Sequence, residues 1–65
     1  MFKQGQEIKL RGEEWKILTV GATNGRETVL HCAHKTKGVH QRNGFEPGKI
    51  MVWVDHKTLE TRRCH

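Results

Sequence analysis

Residues 49–55, Lys49-Ile50-Met51-Val52-Trp53-Val54-Asp55, form the clearest predicted strand of this 65-residue chain. Val, Ile and Trp favour strands, and successive side chains of a strand point to opposite faces of the sheet. Ile50, Val52 and Val54 are therefore predicted to face the interior, and Met51 and Trp53 to face outward together.

Three further strands are predicted before this one, and a weaker strand after it. They cover residues 7–11, 15–20, 26–34 and 59–63. Asn24-Gly25 suits a hairpin turn because both residues tolerate a positive φ. The alternation of side chains fails near Ile17-Leu18, which predicts a β-bulge there. No segment shows the 3.6-residue apolar period of a helix.

Five short strands must either close on themselves or leave edges exposed. The order of strands and turns over residues 5–62 resembles that of a small SH3-like barrel, so the predicted fold is an all-β, five-stranded SH3-like barrel. An OB-like barrel usually needs more residues and a helix between strands. It is an alternative to the SH3-like barrel, together with an open antiparallel sheet.

The strand pattern predicts a thin apolar core. A chain of this size buries only about 60% of the surface that it exposes when unfolded. The predicted core residues are Ile8, Leu10, Trp15, Ile17, Val20, Val29, Leu30, Ile50, Val52, Val54 and Leu59.

The chain is predicted to be a single small β domain, residues 1–65. Residues 35–48 contain only two large apolar side chains, Val39 and Phe45, and are predicted to form a long basic loop with at most a small hairpin at Asn43-Gly44. Long loops in small domains are usually functional or disordered. Residues 62–65 are predicted to be a frayed tail.

The positive charge lies mainly in the second half of the chain. The whole chain has 12 Lys and Arg against 7 Asp and Glu, a net charge of +5 at pH 7. Residues 34–65 hold seven of the basic residues and three of the acidic ones. Such a surface favours nucleic acid, either DNA or RNA, or an acidic protein as the partner.

The long loop is the predicted nucleic-acid site, since cations pair with phosphates and an exposed ring stacks on a base. The predicted contact residues are Lys35, Lys37, His40, Arg42, Phe45 and Lys49. In the alternative without a binding role, residues 35–48 are a solvated loop and Phe45 folds back onto the core. A small, non-enzymatic accessory protein that binds nucleic acid is the leading functional prediction.

Met51 and Trp53 support a second functional prediction. An outward-facing pair of large apolar side chains is a docking surface for another protein or for a second copy of the chain. In this alternative the chain is an adaptor or inhibitor that binds its partner through Met51 and Trp53.

Zinc chemistry and catalysis are weaker alternatives, and neither a metal nor a cofactor is predicted. Cys32 and His34 lie in a strand, and Cys64 and His65 lie at the chain end, which is not the ligand spacing of a zinc knuckle. Cys32 shares a face with His34 but no orienting group or oxyanion donor is apparent, so no enzyme is predicted. Cys32 is interpreted as a small buried apolar residue.

The expected location is the cytoplasm, with no membrane partner. No stretch approaches the roughly 20 apolar residues of a membrane span. The first six residues lack the features of a signal peptide. The two cysteines are too few for a disulfide framework, so reduced thiols are expected.

Overall fold

The computed structural model describes residues 2–64, which fold into five strands. The strands are β1 (Glu7–Leu10), β2 (Glu13–Thr23), β3 (Glu27–Gln41), β4 (Gly44–Asp55) and β5 (Thr61–Arg63). The prediction of an all-β fold with five strands is confirmed.

The strands form one antiparallel sheet in the order β1-β2-β3-β4-β5. The sheet is open, since within residues 2–64 β1 pairs only with β2 and β5 only with β4. The prediction of a closed SH3-like barrel is therefore wrong, and the open antiparallel sheet describes the fold. The strand lengths explain the difference: β1 has 4 residues and β5 has 3, whereas β3 has 15 and β4 has 12. Such short edge strands do not close a sheet around two long central strands.

One face of the sheet carries the core. Its buried apolar members are Leu10, Trp15, Ile17, Leu30, Cys32, Val52 and Val54, and Phe2, Ile8 and Ile50 pack against them. Ala33 is also buried, and so are two polar residues, Thr28 and His34. The inward alternation predicted for residues 49–55 is confirmed, because Val52 and Val54 are buried and Met51 is exposed.

Two predicted core residues, Val20 and Leu59, are exposed, with exposed fractions of 41% and 37%. The pairing of β1 with β2 stops at Glu7 and Lys16, so at Val20 the strand β2 has a neighbour, β3, on one side only. Leu59 lies in the turn between β4 and β5 with a φ of 62°. A third, Val29, is half-buried and faces the side of the sheet opposite the core.

One local irregularity of the sheet lies where the sequence predicts it. The β2–β3 register shifts between Ile17 and Thr19, which confirms the predicted bulge. Arg11 and Gly12, with φ values of 55° and 77°, connect β1 to β2. Positive φ at both central residues is the signature of a type I′ hairpin turn, whose twist matches that of the strands.

Residues 35–48, predicted as a long loop, are instead the outer parts of β3 and β4, in which residues 38–41 pair with residues 44–47. Gly38 pairs with Pro47, His40 with Phe45 and Gln41 with Gly44, so the hairpin turns at residues 42–43. We call residues 35–48 the arm. Every residue from 35 to 46 is exposed, so the arm extends beyond the part of the sheet that carries the core.

The predicted frayed tail is also partly ordered. Arg62 and Arg63 belong to β5 and pair with Trp53 and Val52. Cys64 is half-buried, and His65 lies outside the described residues. Within residues 2–64 no helix is long and apolar enough to cross a membrane.

Candidate nucleic-acid interface

A buried histidine holds the base of the arm. The β3–β4 register shifts between Ala33 and Gly38, and His34 lies at the start of this irregular segment. Its Nδ1 accepts hydrogen bonds from the backbone N–H groups of Thr36 (3.0 Å) and Lys37 (2.7 Å). Since Nδ1 accepts, the proton of the neutral ring is on Nε2, which donates to Glu13 Oε1 at 3.1 Å. The bonds fix the backbone where the arm leaves the body of the sheet.

Trp15 packs against the same histidine. The two rings meet edge to face, with centroids 4.7 Å apart, and the indole Nε1–H donates to the Leu10 carbonyl at 3.3 Å. Edge-to-face packing is a favoured geometry for aromatic pairs. The arm base is therefore joined to the core through His34. This role is not visible in the sequence, since a histidine at an inward-facing position does not reveal its hydrogen-bond partners.

Two of the predicted contact cations are in ion pairs. Lys35 Nζ lies 2.9 Å from Glu7 Oε2, and Lys37 Nζ lies 2.7 Å from Glu13 Oε1. The hydrogen bond from Lys35 lowers the pKa of Glu7, and the one from Lys37 lowers the pKa of Glu13. Exposed ion pairs add little stability. Their effect here is to reduce the free positive charge at the arm base.

The outer part of the arm carries the aromatic residues. Phe45 has an exposed fraction of 43% and does not fold back onto the core. Its ring lies against His40, with centroids 5.1 Å apart, and close to Gly38. A Cβ at Gly38 would lie 2.8 Å from Phe45 Cζ and 2.2 Å from the Glu46 carbonyl oxygen, so only glycine fits beneath this ring. Arg42 stands in the turn and is in no ion pair with any of residues 2–64.

Lys49 and the predicted protein-docking residues share one side of β4 with Phe45. Alternate residues of a strand point the same way, which places Phe45, Lys49, Met51 and Trp53 on the side opposite the core. Met51 has an exposed fraction of 51%. The structure therefore places members of two separately predicted sites on one surface. The sequence identifies the alternation within β4, but not that the strand extends to residue 44.

Trp53 is less accessible than its outward position predicts. It is half-buried, and the Arg62 guanidinium lies 5.0 Å from the centroid of its ring. Arg62 is held by Glu27, since Nε donates to Oε2 at 2.9 Å and Nη2 donates to Oε1 at 3.0 Å. The hydrogen bond lowers the pKa of Glu27 and raises that of Arg62. A bidentate bond of this kind orients the guanidinium well.

The cysteine chemistry considered from the sequence has little support in the geometry. Cys32 is fully buried, and burial raises the pKa of its thiol to about 11. A protonated, inaccessible thiol is a poor nucleophile and a poor metal ligand. No cluster of three or more His, Cys, Asp or Glu side chains suited to a metal occurs among residues 2–64. Cys64 and His65, which the sequence offered as ligands only in the weaker zinc alternative, fall partly outside these residues.

Comparisons with protein-family profiles, with curated protein sequences and with solved structures gave no match to this chain. Its function is therefore inferred from the arm and from the outer side of β4.

Proposed function

We propose that this protein is a small, non-enzymatic nucleic-acid-binding module whose contact element is the arm. The arm supplies an exposed aromatic side chain and a cation, Arg42, that is in no ion pair with residues 2–64, and Lys49 follows it directly. Cations and exposed rings are the groups that bind phosphates and bases. The arm is joined to the core of the open sheet through His34, which packs against Trp15.

The observation that carries this proposal is the run of twelve consecutive exposed residues, 35–46, most of which belong to the two-stranded hairpin at the end of the arm. A two-stranded hairpin is marginally stable in water when it stands alone. This one buries none of its residues from 35 to 46 in the core and adds little to the stability of the sheet. A part of the chain that does not support the fold is available for contact with a partner.

The charge of the arm region favours a polyanion. Residues 35–49 contain four Lys or Arg side chains and one Glu. Arg42 and Lys49 are in no ion pair with any of the described residues. Lys35 and Lys37 are paired on the surface, where a phosphate can compete with a carboxylate because such pairs are weak. We expect Arg42 and Lys49 to contribute most of the phosphate contacts.

A protein partner at Met51 and Trp53 is the second candidate function. The exposure of Met51 supports it. Arg62 over the ring of Trp53 reduces the apolar area that this pair offers. Binding of nucleic acid is therefore the function that we prefer.

The test is the salt dependence of binding to a fluorescent single-stranded oligonucleotide, measured by anisotropy. For single strands, the logarithm of the affinity falls with the logarithm of the salt concentration by about 0.7 for each neutralised phosphate. We expect Arg42→Gln to weaken binding at low salt and to reduce this slope by about 0.7. The matched control is Lys57→Gln, the same type of charge removal in the turn at the other end of β4.

Affinity that does not change with salt would contradict the proposal. An equal loss for Arg42→Gln and Lys57→Gln would also contradict it, because binding would then depend on net charge and not on the arm. If the oligonucleotide does not bind and Met51→Ala abolishes binding to a protein partner, the second candidate function is correct.

A further inference from the structure

One side of β4 connects the arm to the body of the sheet. Phe45 and Trp53 lie at its two ends, and Pro47, Lys49 and Met51 lie between them at alternate positions. Trp53 is eight positions after Phe45 along the strand, a distance of about 26 Å at roughly 3.3 Å per residue. The register shift at the arm base adds its extra residues to β3, so this side of β4 is continuous.

We infer that this side of β4 is a single binding track for single-stranded nucleic acid, with Phe45 at one end, Lys49 in the middle and the Trp53–Arg62 pair at the other end. The inference rests on the proposed function and specifies its ligand. The strand runs from the arm onto the body of the sheet, and Met51 and Trp53 belong to the nucleic-acid site.

At the arm end, part of Phe45 is open to solvent. Gly38 and His40 lie against the ring, yet the side chain keeps an exposed fraction of 43%. A ring supported on one side and open on the other stacks with a single base. Such stacking requires an unpaired base, because the bases of a duplex are already stacked on each other.

At the other end, Arg62 lies over the indole of Trp53, with 5.0 Å from the guanidinium carbon to the ring centroid. Two hydrogen bonds to Glu27 fix its position. Bases of single-stranded nucleic acid stack on aromatic rings and on the planes of arginine guanidinium groups. Trp53 and Arg62 thus supply a second planar group that is also cationic.

Between the two ends, two lysines lie on this side of the sheet, and one carboxylate, that of Glu7, lies opposite Lys16. Lys16 and Lys49 are the neighbours of Ala33 in the register of β2, β3 and β4, on the side that faces away from the core. Neither lysine is in an ion pair with any of residues 2–64. The carboxylates beyond Trp53, those of Glu27 and Asp55, are occupied by Arg62 and Arg26.

This distribution favours a nucleic acid over a protein at the same surface. Charged residues are depleted at the centre of protein–protein interfaces, and aromatic residues are enriched there. Here Lys49 stands in the centre of the track and the aromatic residues stand at its ends. A polyanion with planar bases matches this order of groups.

The experiment uses the full chain, labelled with ¹⁵N, and oligothymidylates of roughly 4, 8 and 12 nucleotides, within the range of known site sizes. The expected result is that the longer strands shift the amide signals of Phe45 and Met51 and the indole Nε1–H signal of Trp53 together. Affinity should rise with length until a strand reaches both ends of the track. A duplex of the same length should bind more weakly.

Trp53→Ala should weaken binding of the longest strand by about five- to a hundredfold, the range for the loss of one stacked base. Met51→Ala is a second variant, since its side chain is half exposed and its loss leaves the fold intact. We expect Met51→Ala to weaken binding of the longest oligonucleotide more than binding of the shortest one. The matched control is Val20→Ala, which removes an exposed apolar side chain from β2, outside the arm and on the side of the sheet opposite the track, and should leave binding unchanged.

If the shifts are confined to residues 36–46, and Trp53→Ala and Met51→Ala bind like the unmodified chain, the track is refuted while binding by the arm stands. Tighter binding of the duplex than of the single strand would also refute it. If no oligonucleotide binds at low salt, the proposed function itself fails.

Discussion

Gly38 shows how a single residue shapes the arm. It faces Phe45 and Pro47 where the two strands of the arm run side by side, and a side chain there would meet backbone atoms. The absence of a side chain lets the Phe45 ring lie across the neighbouring strand. A sequence shows such a glycine but not what lies opposite it, so its role is visible only in the folded arm.

Gly38→Ala should reduce binding of a single-stranded oligonucleotide by about five- to a hundredfold, the range for the loss of one stacked base. The added Cβ would be 2.2 Å from the Glu46 carbonyl oxygen and 2.7 Å from Pro47 Cα, so the arm strands must separate. The free energy of unfolding should change by about 1 kcal/mol or less, because the site is outside the core. Anisotropy and denaturant unfolding measure the two quantities.

Gly48→Ala is the control for this change. The nearest atom to its added Cβ would be the Lys37 carbonyl oxygen at 3.5 Å, an ordinary contact. Equal binding by the Gly38 and Gly48 variants would show that the position of Phe45 is not required.

Among the elements, the turn between β4 and β5 depends most clearly on one charged group. Asp55 Oδ1 accepts hydrogen bonds from the backbone N–H groups of Lys57 (2.8 Å) and Thr58 (3.1 Å), and Oδ2 accepts from Arg26 Nε at 3.2 Å. These bonds, first the one from Thr58, lower the pKa of Asp55 from 3.8 to about 2. The turn is therefore stabilised by an ionised carboxylate.

This shift predicts the acid stability of the protein. The pKa of Asp55 is lower in the folded chain than in the unfolded chain, so its contribution is present above about pH 4 and is lost as the pH falls toward 2. Asp55→Asn keeps the shape of the side chain but cannot ionise. We expect this variant to be less stable at neutral pH and to lose less stability between pH 4 and 2.

Thermal unfolding followed by circular dichroism across this pH range measures the effect. A variant with the same acid profile as the unmodified chain would contradict the assignment. Arg26→Gln removes only the bond at Oδ2 and should give an intermediate profile.

On the scale of the whole molecule, stability comes from one buried face of an open sheet. Leu30, in the central strand, is fully buried between Val20 on β2 and Val52 on β4 in the register. A small domain has little stability to spare. The loss of any central core residue should therefore affect the entire fold.

Leu30→Ala should destabilise the protein by about 2–5 kcal/mol, the usual range for deleting a buried leucine side chain. Val20→Ala, at a position with an exposed fraction of 41%, should cost about 1 kcal/mol or less. Denaturant unfolding monitored by tryptophan fluorescence compares the two variants. A similar loss for both would mean that Val20 is buried in solution, as the sequence pattern predicts.

Much of the strand content and of the inward alternation follows from the order of the side chains. Residues 49–55 carry β-branched and aromatic side chains, and successive side chains of a strand point to opposite faces, so their faces are set by geometry that is local to the strand. The bulge near Ile17 follows from a break in the same pattern. The net charge of the chain, and its concentration in residues 34–65, also follow from the sequence alone.

Closure, register and the arm depend on contacts between distant parts of the chain. Polar, glycine-containing residues 35–48 resemble a loop because a hairpin outside the core has no buried face to produce alternation. Lys35 pairs with Glu7, and Arg62 pairs with Glu27. The partners in each ion pair are far apart in the chain, so the order of side chains alone does not specify these pairs. Whether five strands close into a barrel depends on where the edge strands end, which is decided by tertiary packing. The local sequence thus determined which residues form strands, and only the folded sheet decided which charges stay free and which rings share a surface.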